Sequence, residues 1–128
     1  MMDSLKLGKF SVWCGVNPDH HVAWLNLTTG WDFTVASYME TGERLYNLKR
    51  MYNVREGISR KDDTLPLRIA TLARPDGGAA GKVPPLGIML HEYYDYRGWD
   101  EFGIPKPETL RRLGLEQIVT QGLSKVGA

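Results

Sequence analysis

Apolar side chains recur at helical intervals through most of the chain. No stretch shows the period-two alternation of a half-buried strand. The strongest stripe runs from Val35 to about Val54, where Tyr38, Leu45, Leu48 and Tyr52 recur with Met39 and Met51 beside them. That spacing predicts a long helix with a core-facing side, capped by Thr34. Gly42 interrupts the stripe at a cost of roughly 1 kcal/mol relative to alanine, and the close approach of another helix would account for it. Gly57 stops this helix or lies just beyond it. Leu86, Met89, Leu90, Tyr93 and Tyr94 mark a second strong helix that ends at Gly98, with Arg97 placed to favour the dipole. Pro107 suits a first helical position. The helix over 108–113 that follows should end with Gly114 at C′, letting Leu115 fold back on Leu110 in a Schellman cap.

The weaker segments complete the pattern. Asp3 to Trp13 carries Leu5, Leu7, Phe10, Val12 and Trp13 behind Asp3 and Ser4 as capping candidates, which predicts a short helix. Gly15, Asn17 and Pro18 predict a turn. Residues 19–29 predict a helix with Val22, Leu25 and Trp24 inward and Gly30 at its end. "LRIATLA" after Pro66 reads as helical, "RPDGGAAGKVPP" (74–85) as a flexible or irregular connection, and 116–125 as a weak helix. The expected fold is all-α: an irregular multihelical bundle of about five to seven helices, in a single domain spanning 1–128.

Composition agrees and excludes several functions. The chain has 128 residues, 42% hydrophobic and 24% charged, which suits a folded globular domain. A formal net charge of +1 gives no global field for DNA, RNA or an anionic membrane. No apolar run approaches bilayer length, and "MMDSLKLGKF" lacks the features of a signal peptide, so a cytoplasmic location is expected. With Cys14 as the lone cysteine, no intrachain disulfide or cysteine-built metal site can form from this chain alone.

Candidate chemistry is sparse. Phosphate loops, dinucleotide fingerprints, zincin helices and hydrolase elbows are all missing. His20 and His21 are adjacent, so a helix would point them apart. His91 and Asp95 share a helical face, which suits either two metal ligands or, more simply, a solvent-facing pair. Cys14 has no base beside it in sequence and reads as a buried, inert thiol. Tyr93, Tyr94, Tyr96 and Trp99 read as core and core edge rather than as a stacking platform. The most polar stretch is "NVREGISRKDDTLP" (53–66), where six of fourteen residues are charged with signs mixed. Balanced signs point to an ion-pair network, with Arg55 and Glu56 pinning Asp62 and Asp63 or nearby groups, in preference to catalysis.

Two longer stretches carry a resemblance. "GERLYNLKRMYNVREGISRKDDTLP" (42–66) and "LHEYYDYRGWDEFGIPKPETLRRLGL" (90–115) closely resemble the C-terminal region of the aldehyde ferredoxin oxidoreductases, and "LTTGWDFT" (27–34) and "DSLKLGKF" (3–10) continue the likeness upstream. These are tungsten- or molybdenum-pterin enzymes with a [4Fe–4S] cluster. They oxidise aldehydes to carboxylates and pass electrons to ferredoxin. The resemblance implies the all-helical C-terminal (third) domain of such an oxidoreductase. It also implies an Asp-x-x-Gly-Leu-Cys motif whose Asp and Leu contact the pterin and whose Cys binds the cluster. Asp3 and Leu7 take the pterin-contact positions, Lys6 stands at the motif glycine, and Gly8 at the cluster cysteine. A glycine cannot ligate iron. Cys14 lies six residues on, about 600° around a helix and so on another face. The resemblance thus leaves the cluster absent, altered or differently ligated. The family's pterin-wrapping domain and its other three cluster cysteines are not in this sequence. The expectation is therefore a domain, fragment or split subunit that is inactive and cofactor-free alone. Its expected partners are a pterin-binding domain or subunit and, for the full enzyme, ferredoxin. The alternative is a stand-alone, non-catalytic helical protein-interaction module derived from that family. Detached, its first segment would expose Leu5, Leu7, Phe10 and Trp13 and could drive homo-oligomerisation.

Overall fold

The computed structural model describes residues 1–118. Five α-helices and two 3-10 helices are present among them and no strand, as the periodicity predicts. Two isolated bridges, Arg74–Ala80 and Trp99–Pro105, are the extent of β pairing among the described residues. The chain forms two compact units, Met1–Lys49 and Arg50–Ala128.

In the first unit, the helix expected from Asp3 to Trp13 is replaced by a turn over 2–6 and a 3-10 helix, Lys9–Cys14. Lys6 takes a left-handed φ of 58° and Gly8 is extended, so helical geometry cannot run through them. Asp3 and Ser4 therefore do not cap a helix. No residue of Lys9–Cys14 is buried. Phe10 and Trp13 are 68% and 75% exposed and meet edge to face at 5.0 Å between ring centroids. Without burial to stabilise it, a short helix has little to hold it.

Helix α1 (Pro18–Thr29) begins one residue earlier than expected, with Pro18 at its first position. The Asn17 side chain accepts hydrogen bonds from the Asp19 and His20 amides, and Gly30 ends the helix at a φ of 72°. His21 and Val22 are buried, while Trp24 remains largely exposed. Asn26 then clamps the connection to the next helix by donating to the Phe33 carbonyl at 2.8 Å and accepting from its amide at 2.9 Å.

Helix α2 (Val35–Arg55) has the expected extent, and Thr34 Oγ1 caps it by accepting from the Ser37 amide at 3.1 Å. Its buried positions differ from the expected stripe. Tyr38, Asn47, Arg50, Met51 and Val54 are buried, whereas Leu48, Tyr52 and Met39 are exposed. Positions 47, 50, 51 and 54 follow helical spacing, but two of them are polar, which hid the face from a hydrophobic count. Gly42 does admit a close neighbour, though it is Met1 and not a helix. A Cβ there would stand 3.1 Å from Met1 Cγ and 3.3 Å from its nitrogen.

The second unit continues past Gly57 (φ 87°) into the 3-10 helix Arg60–Asp62. Helices α3 (Leu67–Thr71), α4 (Leu86–Arg97) and α5 (Pro107–Arg112) follow. Gly98 ends α4 in the left-handed region, and Pro107 opens α5. After α5, Gly114 takes a φ of 67°, and the Leu115 amide donates to the Leu110 carbonyl at 2.8 Å. That is the long bond of a Schellman cap, and Leu110 and Leu115 join one hydrophobic cluster with Met51 and Leu113. Residues 116–118 are helical, and the rest of the helix expected over 116–125 lies outside the described residues.

Leu113 is fully buried in that cluster, so truncation should open a cavity there. Leu113→Ala is expected to lower stability by about 2–5 kcal/mol. Leu48→Ala on the exposed side of α2 should cost less than about 1 kcal/mol. Denaturant unfolding of both variants checks the contrast.

Candidate functional site

The residues singled out by the Asp-x-x-Gly-Leu-Cys resemblance lie in the Met1–Leu7 turn. Backbone hydrogen bonds knit it: Leu5 N to the Met1 and Met2 carbonyls, Lys6 N to Asp3 and Leu7 N to Met2, all between 3.1 and 3.2 Å. The Asp3 side chain is exposed and has no hydrogen-bond partner among the described residues. It can therefore accept from an amine, and in that respect the turn fits a pterin contact. Lys6, at the motif's glycine, holds the positive φ that glycine tolerates best. Leu7 is half-buried.

The cluster position does not fit. Gly8 presents no ligand, and a Cβ built there would meet open space. Cys14 is exposed, not buried as expected, and no residue of the 3-10 helix that carries it is buried. Among the described residues no group of three His, Cys, Asp or Glu side chains could hold a metal ion. His91 and Asp95 form the solvent-facing pair, 3.5 Å apart and both well exposed. The adjacent histidines diverge. His20 sits in the α1 cap, and His21 is buried with Nδ1 3.1 Å from the Tyr38 hydroxyl.

The charged stretch 53–66 resolves into three separate arrangements. Arg55 pairs with Glu56 at 3.1 Å on the surface and does not reach Asp62 or Asp63. Asp62 Oδ2 accepts from the Ser59 amide at 2.8 Å and caps the 3-10 helix. Asp63 is bound by Arg50, a residue of α2 that precedes the stretch. The guanidinium grips it twice, Nη1 to Oδ1 at 2.9 Å and Nη2 to Oδ2 at 2.6 Å. Arg50 is 7% exposed and Asp63 24%. Arg50 Nε donates to the Gly103 carbonyl at 2.7 Å, and its guanidinium lies 4.9 Å from the Trp99 ring centre. The Tyr94 hydroxyl donates to Asp63 Oδ2 in a short bond.

Asp100 shapes the loop that offers Gly103. Its Oδ1 accepts from the Phe102 and Ile104 amides, both at 2.9 Å. Gly103 has a φ of 76°, and a Cβ there would collide with Arg50 Nη2 and stand 2.9 Å from Tyr94 Cζ. Tyr94 and Trp99 are core, whereas Tyr96 faces solvent. Arg50 was missed because it lies outside the charged run. The signal for it was a basic residue at helical spacing with Asn47 and Val54.

Burial pushes the Asp63 carboxyl up, but hydrogen bonds from Arg50 and Tyr94, with the charges of Arg50 and Arg60, outweigh it and hold the pKa below its ordinary value. Burial, then the bond to Asp63, push the Tyr94 phenol up to about 12.

The fold is shared with a solved structure, the active site complex BamBC of benzoyl coenzyme A reductase in complex with 1,5-dienoyl-CoA. The TM-score is 0.69 at 22% identity, over 85% of this chain and 16% of that one. The family follows from sequence. The model for aldehyde ferredoxin oxidoreductase, domains 2 & 3, matches residues 1–115, and the chain belongs to the aldehyde ferredoxin oxidoreductase family. It is 38% identical over 120 residues to the tungsten-containing aldehyde ferredoxin oxidoreductase of Pyrococcus abyssi, covering 93% of this chain and 20% of that protein. It is 40% identical over 120 residues to the Pyrococcus furiosus enzyme, covering 92% and 20%. The chain thus spans about a fifth of the length of these relatives.

Removing the carboxylate should strand a buried guanidinium. Asp63→Asn is expected to destabilise by about 3 kcal/mol at neutral pH. Because folding lowers the Asp63 pKa, its contribution is complete above the unfolded value of about 3.9 and is lost as pH falls through the folded value. The wild-type acid limb should therefore be steeper than that of Asp63→Asn. Tyr94 acts in the opposite direction: its contribution is complete below about 10 and is lost as pH rises through about 12. Denaturation midpoints against pH for wild type, Asp63→Asn and Tyr94→Phe measure both.

Proposed function

We propose that this chain acts as the C-terminal domain, or a separate C-terminal subunit, of a tungsten-pterin aldehyde ferredoxin oxidoreductase. In this reading the assembled enzyme converts aldehydes to carboxylates and delivers electrons to ferredoxin, and the chain is inactive alone. The observation that carries it is the family match over 1–115, nearly the whole described chain. When bound, the tungsten-pterin supplies the oxidation chemistry. This chain's part is positional. The Asp3 carboxylate would hold a pterin amine, and the knit turn would present the Leu7 backbone as a second pterin contact. Partner and location follow: a pterin-binding portion of the same enzyme, in the cytoplasm. No helix among the described residues is long and apolar enough to cross a membrane.

Gly8 leaves the iron–sulfur part of that function without the family's ligand at this position and favours a second reading, a non-catalytic interaction module of the same descent. The exposed Phe10 and Trp13 suit docking in either case. In the absence of the partner they would support self-association, which Phe10→Ser with Trp13→Ser should abolish in light scattering.

A chimera separates the readings. This chain would replace the region it matches in the Pyrococcus furiosus enzyme. Aldehyde-dependent dye reduction with bound tungsten is expected, together with an altered or missing cluster signal in electron paramagnetic resonance that Gly8→Cys restores. Tungsten loading should fall with Asp3→Ala. A folded chimera without tungsten or activity, even with Gly8→Cys, would leave the interaction module.

The Lys6 backbone gives a test on the chain itself. A left-handed φ costs a non-glycine residue about 1–2 kcal/mol. Glycine recovers part of this against its larger unfolded-state entropy, so Lys6→Gly is expected to raise stability by up to about 1 kcal/mol in thermal denaturation. A loss would mean that the lysine side chain is needed in the turn.

A further inference from the structure

In the Arg50–Ala128 unit, α3 and the 74–84 segment enclose an open cleft of about 730 Å³. Arg68, Arg74 and Lys82 line it, with Asp76 as its single carboxylate and Ile69 and Leu72 among its apolar walls. None of the three cations has an ion-pair or hydrogen-bonding partner for its side chain among the described residues. Ile69 and Leu72 are at least half exposed. The loop closes on itself and not into the cleft: Gly81 N donates to the Arg74 carbonyl at 2.9 Å, and Ala80 N to Gly77 at 3.0 Å. The left-handed Gly77 and Gly81 make that closure possible.

We propose that this cleft binds a small organic anion, a carboxylate or similar single-charge head on an apolar body. Its volume falls within the roughly 300–1,000 Å³ of small-molecule sites. Three unpaired cations facing one carboxylate select a negative head, and an exposed aliphatic wall beside them selects a hydrocarbon tail. A flat acidic protein surface would use the cations and leave the concave apolar wall empty. The inference stands on the cleft alone and is independent of any pterin or cluster chemistry.

The test titrates the intact chain with hexanoate, hexanol and inorganic phosphate, read by amide chemical shifts in nuclear magnetic resonance. Hexanoate should shift residues 68–84 and saturate, binding at least about two- to five-fold more tightly than hexanol, the worth of one exposed cation–anion contact. Phosphate should bind more weakly than hexanoate. Arg74→Gln with Lys82→Gln should weaken hexanoate about ten-fold, and Arg68→Gln alone about two- to five-fold. Unchanged shifts around Tyr94 and Trp99 would show both variants folded. Four results would each overturn the proposal: no shifts in 68–84, hexanol equal to hexanoate, phosphate equal to hexanoate, or variants that bind as wild type. A protein-docking role would give the first.

Discussion

The second unit is organised around one buried guanidinium. Arg50 is nearly inaccessible, and a charge in that setting is tolerable only if it is paired and hydrogen-bonded. The surroundings do both from three parts of the chain. Asp63 supplies both carboxylate oxygens, the Gly103 carbonyl takes Nε, and the Trp99 face covers the plane. Each partner is then constrained in turn. Asp63 has to be delivered by a connection that leaves α2, reverses at Gly57 and is pinned through Arg60 N to the Phe102 carbonyl at 3.0 Å. Gly103 has to be a glycine, because the guanidinium and the Tyr94 ring occupy the space of its side chain. Tyr94 has to be a protonated phenol to donate to Asp63, and burial together with that bond raises its pKa. A stretch that reads as a surface charge run thus contributes one interior residue, Asp63, while Asp62 and Glu56 serve local geometry.

A hydrophobic replacement of similar volume would often be as stable as such a network. What the network adds is directional. A bidentate pair fixes one relative placement of α2 and the 59–63 segment, and Nε fixes the 100–104 loop against the same side chain. Hydrocarbon packing of Met51, Leu110, Leu113 and Leu115 is non-directional and would tolerate small slides. The two kinds of contact are complementary: the cluster supplies burial and the guanidinium sets the register.

Helix extents were legible in the sequence because their signals are local. Thr34, Gly30, Gly98, Pro107 and Gly114 act within a turn of where they stand, and each does in the structure what its chemistry predicts. The buried face of α2 was less legible. Asn47 and Arg50 carry no hydrophobic signal, and the Asp63 that neutralises Arg50 is thirteen positions away along a turn-rich path. Leu48 and Tyr52 lie on the same helix and look like core, but both remain substantially exposed among the described residues. The first segment was misread for a related reason: Leu5, Leu7, Phe10 and Trp13 have helical spacing, yet spacing drives helix formation only where something buries the face. The candidate pterin contacts rest on resemblance alone, since an exposed aspartate in a turn has no distinguishing chemistry of its own.

Lys6 and Gly8 bear on descent in opposite ways, and physics tells them apart. A backbone conformation is set by the hydrogen bonds around it. The Met1–Leu7 bonds hold position 6 left-handed whether or not glycine is there to make that inexpensive. A metal ligand has no such support. Nothing in the Gly8 backbone substitutes for a thiolate, and its surroundings are open, so position 8 itself offers no ligand to iron. Pterin contact, which asks for a free carboxylate and a backbone held in place, belongs with the first kind of feature, and cluster ligation with the second. In this chain the two requirements are met unequally: the turn is held by its own backbone bonds, and position 8 carries no thiolate.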